Sequence, residues 1–236
     1  MWLWSLVYTA YEERDACTRP LCIRSRAPYI APHLPTHPLT HPPADHEFFA
    51  TAGTSRRVKI FDLSTVLDPG TFIHYPTAEL VSRSKLSSVA WNAYIKGQIA
   101  SANYEGAVQL HSAATQREIA MFEEHGRRVW SLDFCVPDPT LLASGSDDAT
   151  VKIWSIREPA SVATLSLGSN VCAVRFAPTS AHLLAAGTAG TAAFLYDLRH
   201  AARPLAVLEG HQRAVSYVSF TGAGEVVTAS VDSTLK

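Results

Sequence analysis

The sequence predicts an all-β propeller, incomplete at about four and a half blades, and three observations lead to it. The run Leu141-Leu142-Ala143-Ser144-Gly145-Ser146-Asp147-Asp148-Ala149-Thr150-Val151-Lys152-Ile153-Trp154 recurs in weaker copies. These place Phe61, His111, Trp154 and Tyr196 in one slot at intervals of roughly 42 to 50 residues, the period of a four-stranded blade. From Glu47 onward, short runs rich in β-branched and aromatic residues alternate with Gly, Asn, Asp and Ser turns, as strands joined by tight turns require. The chain has 236 residues, of which 47% are hydrophobic. That suffices for a core, but at about 40 to 45 residues per blade it fills only about four and a half.

Residues 1–45 stand apart from this pattern. Pro20, Pro28, Pro32, Pro35, Pro38, Pro42 and Pro43 remove backbone donors too often for a helix or a central strand, so the segment is expected to be disordered and residues 46–236 to form the partial propeller. His33, His37, His41 and His46 come at nearly even intervals, but the prolines between them forbid the helix that would align them on a metal. Compositional bias accounts for them, and no metal or cofactor is expected. The apolar start, Met1 to Tyr8, lacks a basic flank and runs into Glu12 and Glu13, a poor signal peptide. No stretch approaches the eighteen or so apolar residues of a membrane span, so no membrane partner is expected. Cys17, Cys22, Cys135 and Cys172 make neither a CxxC pair nor a framework, which suits a reducing compartment. A net charge of −1 argues against direct nucleic-acid binding; charge-driven recognition has to be local.

Blade one supplies Phe48–Gly53 and Val58–Asp62, and blade two has strands near 86–92, 98–103, 107–112 and 117–122. Blade three covers Val129 to about Leu165, blade four Val171 to Val207, and the fifth begins at Ala214. The last copy, Val227 to Lys236, stops two residues before the slot that Trp154 fills in blade three. A closed ring leaves no sheet edge bare. The expectation is therefore a fragment or abnormal gene product, or a chain that needs another for closure.

The repeat resembles the WD-repeat family, and the resemblance implies a structural tetrad in blade three of His125, Ser144, Asp148 and Trp154, linked from indole through hydroxyl and imidazole to the turn carboxylate. Such a Ser, His and Asp set invites a hydrolase reading, but the hydroxyl would be buried and no nucleophile-elbow sequence accompanies it. Paired carboxylates, a metal cluster and a phosphate loop are equally lacking from the sequence, so no enzyme is expected. Other blades depart from the set: Ser101, Glu105 and His111 in blade two, Ala186, Gly190 and Tyr196 in blade four, Thr51, Ser55 and Phe61 in blade one, and His211, Thr228 and Asp232 in the fifth.

A functional signal lies in the first strands. Lys85-Leu86-Ser87, Arg128-Val129-Trp130, Asn170-Val171-Cys172 and Arg213-Ala214-Val215, aligned in that order, put a basic residue in three of four copies. Equivalent positions on innermost strands converge on one mouth of the central channel, where three cations make a local positive field. Strand alternation puts Trp130 on the side of Arg128, and Tyr104 in the blade-two turn reaches the same rim. Such a site fits an extended acidic peptide with an apolar anchor. The competing reading makes Trp130 core filling and the cations ordinary solvated charges.

From about Glu47 to Lys236 the sequence resembles the WD-repeat domain of the plant suppressor-of-phytochrome-A and constitutively photomorphogenic proteins. The resemblance is carried by Phe48 through Asp62, Arg83-Ser84-Lys85-Leu86-Ser87, Tyr104-Glu105-Gly106, Arg128 through Phe134, and Ala214-Val215-Ser216-Tyr217-Val218. Trp91 through Lys96 and Asp197 through Ala201 lean towards the suppressor branch. The likeness implies a nuclear, non-enzymatic module of a ubiquitin-ligase complex that represses light signalling. Its implied ligands are acidic Val-Pro motifs of transcription factors or photoreceptors, held by Lys85, Tyr104, Arg128, Trp130 and Arg213, with ligase subunits of the same family as partners. His111, Gly190 and Thr191 depart from that family's pattern, so blades two and four are expected to be weaker. Trp154-Ser155-Ile156-Arg157 and Tyr196-Asp197-Leu198-Arg199 resemble the boxes of receptors that dock on cullin-RING ligase adaptors, implying a contact through Trp154, Arg157, Tyr196, Asp197 and Arg199. Each arginine can equally pair with an acidic neighbour. The alternative for the whole chain is a truncated structural scaffold without binding activity of its own.

Overall fold

The computed structural model of the chain describes residues 21–24, 48–66, 73–95, 97–221 and 224–236. Each β-rich run folds back on the one before it through a short turn, so the sheets are antiparallel meanders. Strands β1 (Leu21–Arg24), β2 (Phe48–Ala52), β3 (Arg57–Asp62) and β4 (Ala78–Val81) make the first sheet, with a single helical turn, Leu63–Val66, after β3. β5 (Leu86–Trp91), β6 (Gln98–Asn103), β7 (Val108–Ser112) and β8 (Arg117–Phe122) make the second, and β9 (Val129–Phe134), β10 (Leu141–Ser146), β11 (Thr150–Ser155) and β12 (Ser161–Ser166) the third. The fourth contains β13 (Val171–Phe176), β14 (Leu183–Thr188), β15 (Ala193–Asp197) and β16 (Ala206–Leu208); β17 (Val215–Phe220) pairs with β18 (Val226–Ser230) in the fifth. These are the blades that the sequence repeat marks out.

Blade one adds something that the repeat did not show. Its first strand is β1, drawn from the segment expected to be disordered; Leu21 to Arg24 contain no proline, and their backbone pairs with Ala52 to Phe49. The rest of that segment, with its histidines, lies outside the described residues.

The first strands of successive sheets pack side by side, β1 on β5, β5 on β9, β9 on β13 and β13 on β17, so the blades fan around one axis. Between each pair of sheets lies a separate apolar core. Ala50, Val58 and Leu80 meet Val89 and Ile99; Val108, Leu110 and Phe122 meet Val129, Leu142 and Trp154; Val151 and Leu165 meet Val174, Phe176 and Tyr196; Ala173 and Ala185 meet Val215 and Val218. A glycine on the second strand of blades three and four, Gly145 and Gly187, lets the neighbouring blade close in. An added Cβ at Gly145 would lie 2.7 Å from Val171 Cγ1 and 2.9 Å from Val174 Cγ1.

The turn between the second and third strands uses one left-handed residue in every blade. Arg56, Ala149, Thr191 and Ser233 have φ of 59°, 66°, 75° and 66°, and Gly106 has φ of 97°. Threonine is the least suited of these, because its branched Cβ crowds the following carbonyl there. Thr191→Gly is therefore expected to raise stability by about 1 kcal/mol. Gly106→Ala should do the opposite by about 1 to 2 kcal/mol, since a Cβ at Gly106 would also lie 2.8 Å from Arg127 O. Chemical-denaturation midpoints of the two variants, moving in opposite directions, are the check.

Candidate functional site

Blade three is wired internally by its polar residues. Trp154 Nε1 donates to Ser144 Oγ at 2.8 Å, His125 Nε2 lies 2.7 Å from the same hydroxyl, and His125 Nδ1 lies 2.8 Å from Asp148 Oδ2. Asp148 also accepts from Thr150 N at 2.9 Å, Thr150 Oγ1 at 2.6 Å and Gly126 N at 3.1 Å. Trp154 and Ser144 are 0% exposed, and Phe122 stacks on the indole at 4.9 Å. The hydroxyl is sealed from any substrate, so the set is structural, as expected. Burial lowers the pKa of His125 against the opposing pull of Asp148. Burial also resists ionisation of Asp148, but the hydrogen bonds from Thr150 and His125 outweigh it and keep the carboxyl below its ordinary range.

The same wiring recurs in blade five, where His211 Nε2 lies 2.8 Å from Thr228 Oγ1 and His211 Nδ1 lies 3.2 Å from Asp232 Oδ2. It fails in blade two. Register puts His111 opposite Ile99, as Trp154 stands opposite Leu142, but Ser101 Oγ and His111 Nδ1 have no hydrogen-bond partner among the described residues.

At the channel mouth, each of the inner strands β5, β9, β13 and β17 carries a register shift at its second residue: Ser87, Trp130, Cys172 and Ser216. A bulge of this kind re-aims the side chain it carries. It sends the half-buried indole of Trp130 to the rim, where the Tyr104 ring lies 6.1 Å away at 58°. Arg128 lies over both rings, with Cζ 4.1 Å from the Trp130 centroid and 5.0 Å from that of Tyr104. Lys85 is exposed and adjoins the cluster, its carbonyl accepting from Tyr104 N at 2.9 Å. Four of the five expected rim residues therefore gather in one place.

The fifth does not fit the alignment read from the sequence. The residue after the second strand donates its N–H to the carbonyl of Lys85, Arg128, Asn170 and Ala214 in the four blades, so Ala214, and not Arg213, is the counterpart of Lys85. Arg213 matches Arg127: their carbonyls accept from Ser230 Oγ and Ser146 Oγ, each at 3.1 Å. The repeated position is basic in two of four copies rather than three. Counting from His125 and His211, each four residues before its paired valine, would have revealed the offset.

Sequence reasoning also missed Asp147. Its Oδ2 accepts from Arg128 Nε at 3.0 Å and pairs with Nη2 at 2.9 Å, while Oδ1 accepts from Trp130 Nε1 at 2.7 Å and Asn170 Nδ2 at 3.2 Å. Asp147 is the positional counterpart of Tyr104, since each donates its N–H to the carbonyl of the residue just before the inner strand of its own blade. The repeat register contained that signal.

The two presumed docking boxes divide into buried and exposed parts. Trp154 is 0% and Tyr196 4% exposed, so both fill cores and neither offers a contact surface. Arg157 is exposed. Asp197 caps the 3-10 turn Leu198–His200, accepting from Arg199 N at 3.0 Å, and its carboxylate takes Arg199 Nη2 at 2.6 Å. Hydrogen bonds from Arg199 hold the Asp197 carboxyl well below the usual carboxylate range.

The family model described as WD domain, G-beta repeat, matches residues 116–155 and 202–236. Protein SPA1-RELATED 4 of Arabidopsis thaliana is 47% identical over 192 residues, covering 81% of this chain and 24% of that protein. The E3 ubiquitin-protein ligase COP1 of Pisum sativum is 46% identical over 192 residues, 81% of this chain and 29% of that protein. WD repeat-containing protein RUP2 of Arabidopsis thaliana is 36% identical over 207 residues, 79% and 56% respectively. The chain thus spans under a third of the length of the first two relatives.

The tetrad makes two stability tests available. Ser144→Ala strands the Trp154 and His125 nitrogens and should cost about 1 to 3 kcal/mol, whereas Ser101→Ala removes no bond and should cost far less; paired denaturation curves decide. Because the His125 pKa is lowered on folding, the unfolded chain takes up protons more readily near the ordinary value of 6.5. The stability that neutral His125 contributes is complete above that pH and is lost as pH falls towards the lowered value. A His125→Gln variant should therefore show a flatter fall in melting temperature on acidification from neutral pH.

Proposed function

We propose, from the premise that this chain is a WD40-repeat protein, that it is a non-enzymatic interaction module whose channel mouth binds acidic Val-Pro peptides. The observation that carries this reading is the convergence of Tyr104, Trp130 and Arg128 at one bulged rim beside exposed Lys85. Aromatic faces hold an apolar anchor, and cations at the edge of a concave site draw carboxylates to it. Lys85 makes no ion pair among the described residues, so its charge is available to an incoming acidic group. Arg213 lies on blade five and one register step away, which makes it a peripheral cation that steers rather than a member of the wall.

The proposed setting is a ubiquitin-ligase assembly that represses light signalling in the nucleus, with related subunits as partners and transcription factors or photoreceptors as the peptide sources; the likeness to SPA1-related proteins and to the COP1 ligase supports the ligase part of this reading. Docking on a cullin-RING adaptor is proposed through Arg157 and Arg199, the exposed ends of the two boxes.

The test is a titration of the folded chain with a fluorescently labelled acidic Val-Pro peptide. Trp130→Ala and Lys85→Glu should each weaken binding at least tenfold, about 1.4 kcal/mol, and raised salt should weaken the wild type. Unchanged affinity in both variants overturns the reading.

A further inference from the structure

The rim has a support that is distinct from its contact surface. Asp147 is half-buried, and its side chain is 13% exposed against 37% for Arg128. Its two oxygens receive donors from three rim side chains on two blades: Arg128 and Trp130 of blade three, and Asn170 of blade four. Each bond removes a freedom that the rim would otherwise have. The bond from Nε1 fixes the rotation of the Trp130 ring about its own bonds, and the pair of bonds from Nε and Nη2 fixes the guanidinium, which then lies over the indole at 4.1 Å. Asn170 stands where Lys85 and Arg128 stand in their blades, yet it is turned onto the same carboxylate.

We infer that Asp147 is the positioning residue of the channel mouth: it holds the Trp130 indole and the Arg128 fork in a preformed arrangement and cancels the Arg128 charge, so that the cation facing an acidic peptide is Lys85. This rests on the peptide-binding reading and deepens it. A ring held in place before the ligand arrives does not have to be ordered on binding, and each rotamer-rich side chain left loose costs binding energy. A guanidinium already paired at 2.9 Å serves the ligand through its face, stacked with the two rings, more than through its charge.

The experiment uses the full chain labelled with 15N at its tryptophan indoles. Exchange of the Trp130 Nε1 proton, assigned by its loss in Trp130→Phe, is measured alongside affinity for the labelled acidic Val-Pro peptide. Asp147→Ala should speed exchange at Trp130 at least tenfold, leave the Trp154 indole as protected as in the wild type, and weaken the peptide at least fivefold. Asp147→Asn keeps one acceptor oxygen for the indole while releasing the arginine. It should retain most of the Trp130 protection, and it serves as the folded variant if alanine disturbs the blade. Lys85→Glu should weaken the peptide without altering exchange at Trp130. Wild-type protection at Trp130 in Asp147→Ala, or unchanged affinity despite lost protection, overturns the inference. Failure of the wild type to bind the peptide defeats the functional reading, and indole exchange then decides by itself whether Asp147 positions the ring.

Discussion

A twisted four-stranded sheet has two apolar faces to hide, and here the neighbouring blades hide them. The four cores lie between sheets and none lies within one, so Leu80 of the first blade and Ile99 of the second belong to one core, and Trp154 of the third packs with Phe122 of the second. Everything else in the architecture serves this stacking. Gly145 is bare because a methyl group would strike the valines of the next blade. The first strands line up around an axis because that is where sheets fanned face to face come closest. Stability is thereby distributed along the series, each blade depending on its neighbours for burial.

The polar residues solve the remaining problem of holding each turn without leaving donors stranded in a dry interior. In blade three an indole, a hydroxyl, an imidazole and a carboxylate form one continuous chain of hydrogen bonds. Glu124, one residue before the imidazole, accepts from Ser161 N at 2.8 Å and Lys152 Nζ at 3.0 Å, tying the incoming link to the outer strands. Blade two keeps the hydroxyl of Ser101 but substitutes His111 for the indole and Ser82 for the imidazole, and the bonds do not form. Asn103 takes over its turn, with Oδ1 accepting from Glu105 N and Ala107 N. One fold thus tolerates two solutions to the same turn, one rigidly networked and one local.

The blade pattern, the slot shared by Phe61, His111, Trp154 and Tyr196, and the tetrad were all legible in the sequence, because strand period and turn chemistry repeat and repetition averages out local ambiguity. Three features were not. β1 lies in the proline-rich segment, far along the chain from β2, the strand it pairs with, so the blade spacing does not reach it. The offset of Arg213 escaped because alignment on charge competed with alignment on the histidine, and the bond that settles the matter is between backbones. Asp147 was hidden by its neighbour: in Ser146-Asp147-Asp148 the second aspartate caps the turn, and only the repeat register, which sets the first opposite Tyr104 of blade two, marks it as the one that faces an arginine and a tryptophan.

The bulge at the second residue of the inner strands β5, β9, β13 and β17 has a consequence for how such a surface can change. Its occupant, whether Ser87, Trp130, Cys172 or Ser216, is excused from the pairing that its neighbours perform. Side chains of very different size are therefore interchangeable there without disturbing the ladder. The scaffold separates what it must conserve to remain assembled from what it can vary to acquire new ligands, and it repeats that freedom in four successive blades around a single opening.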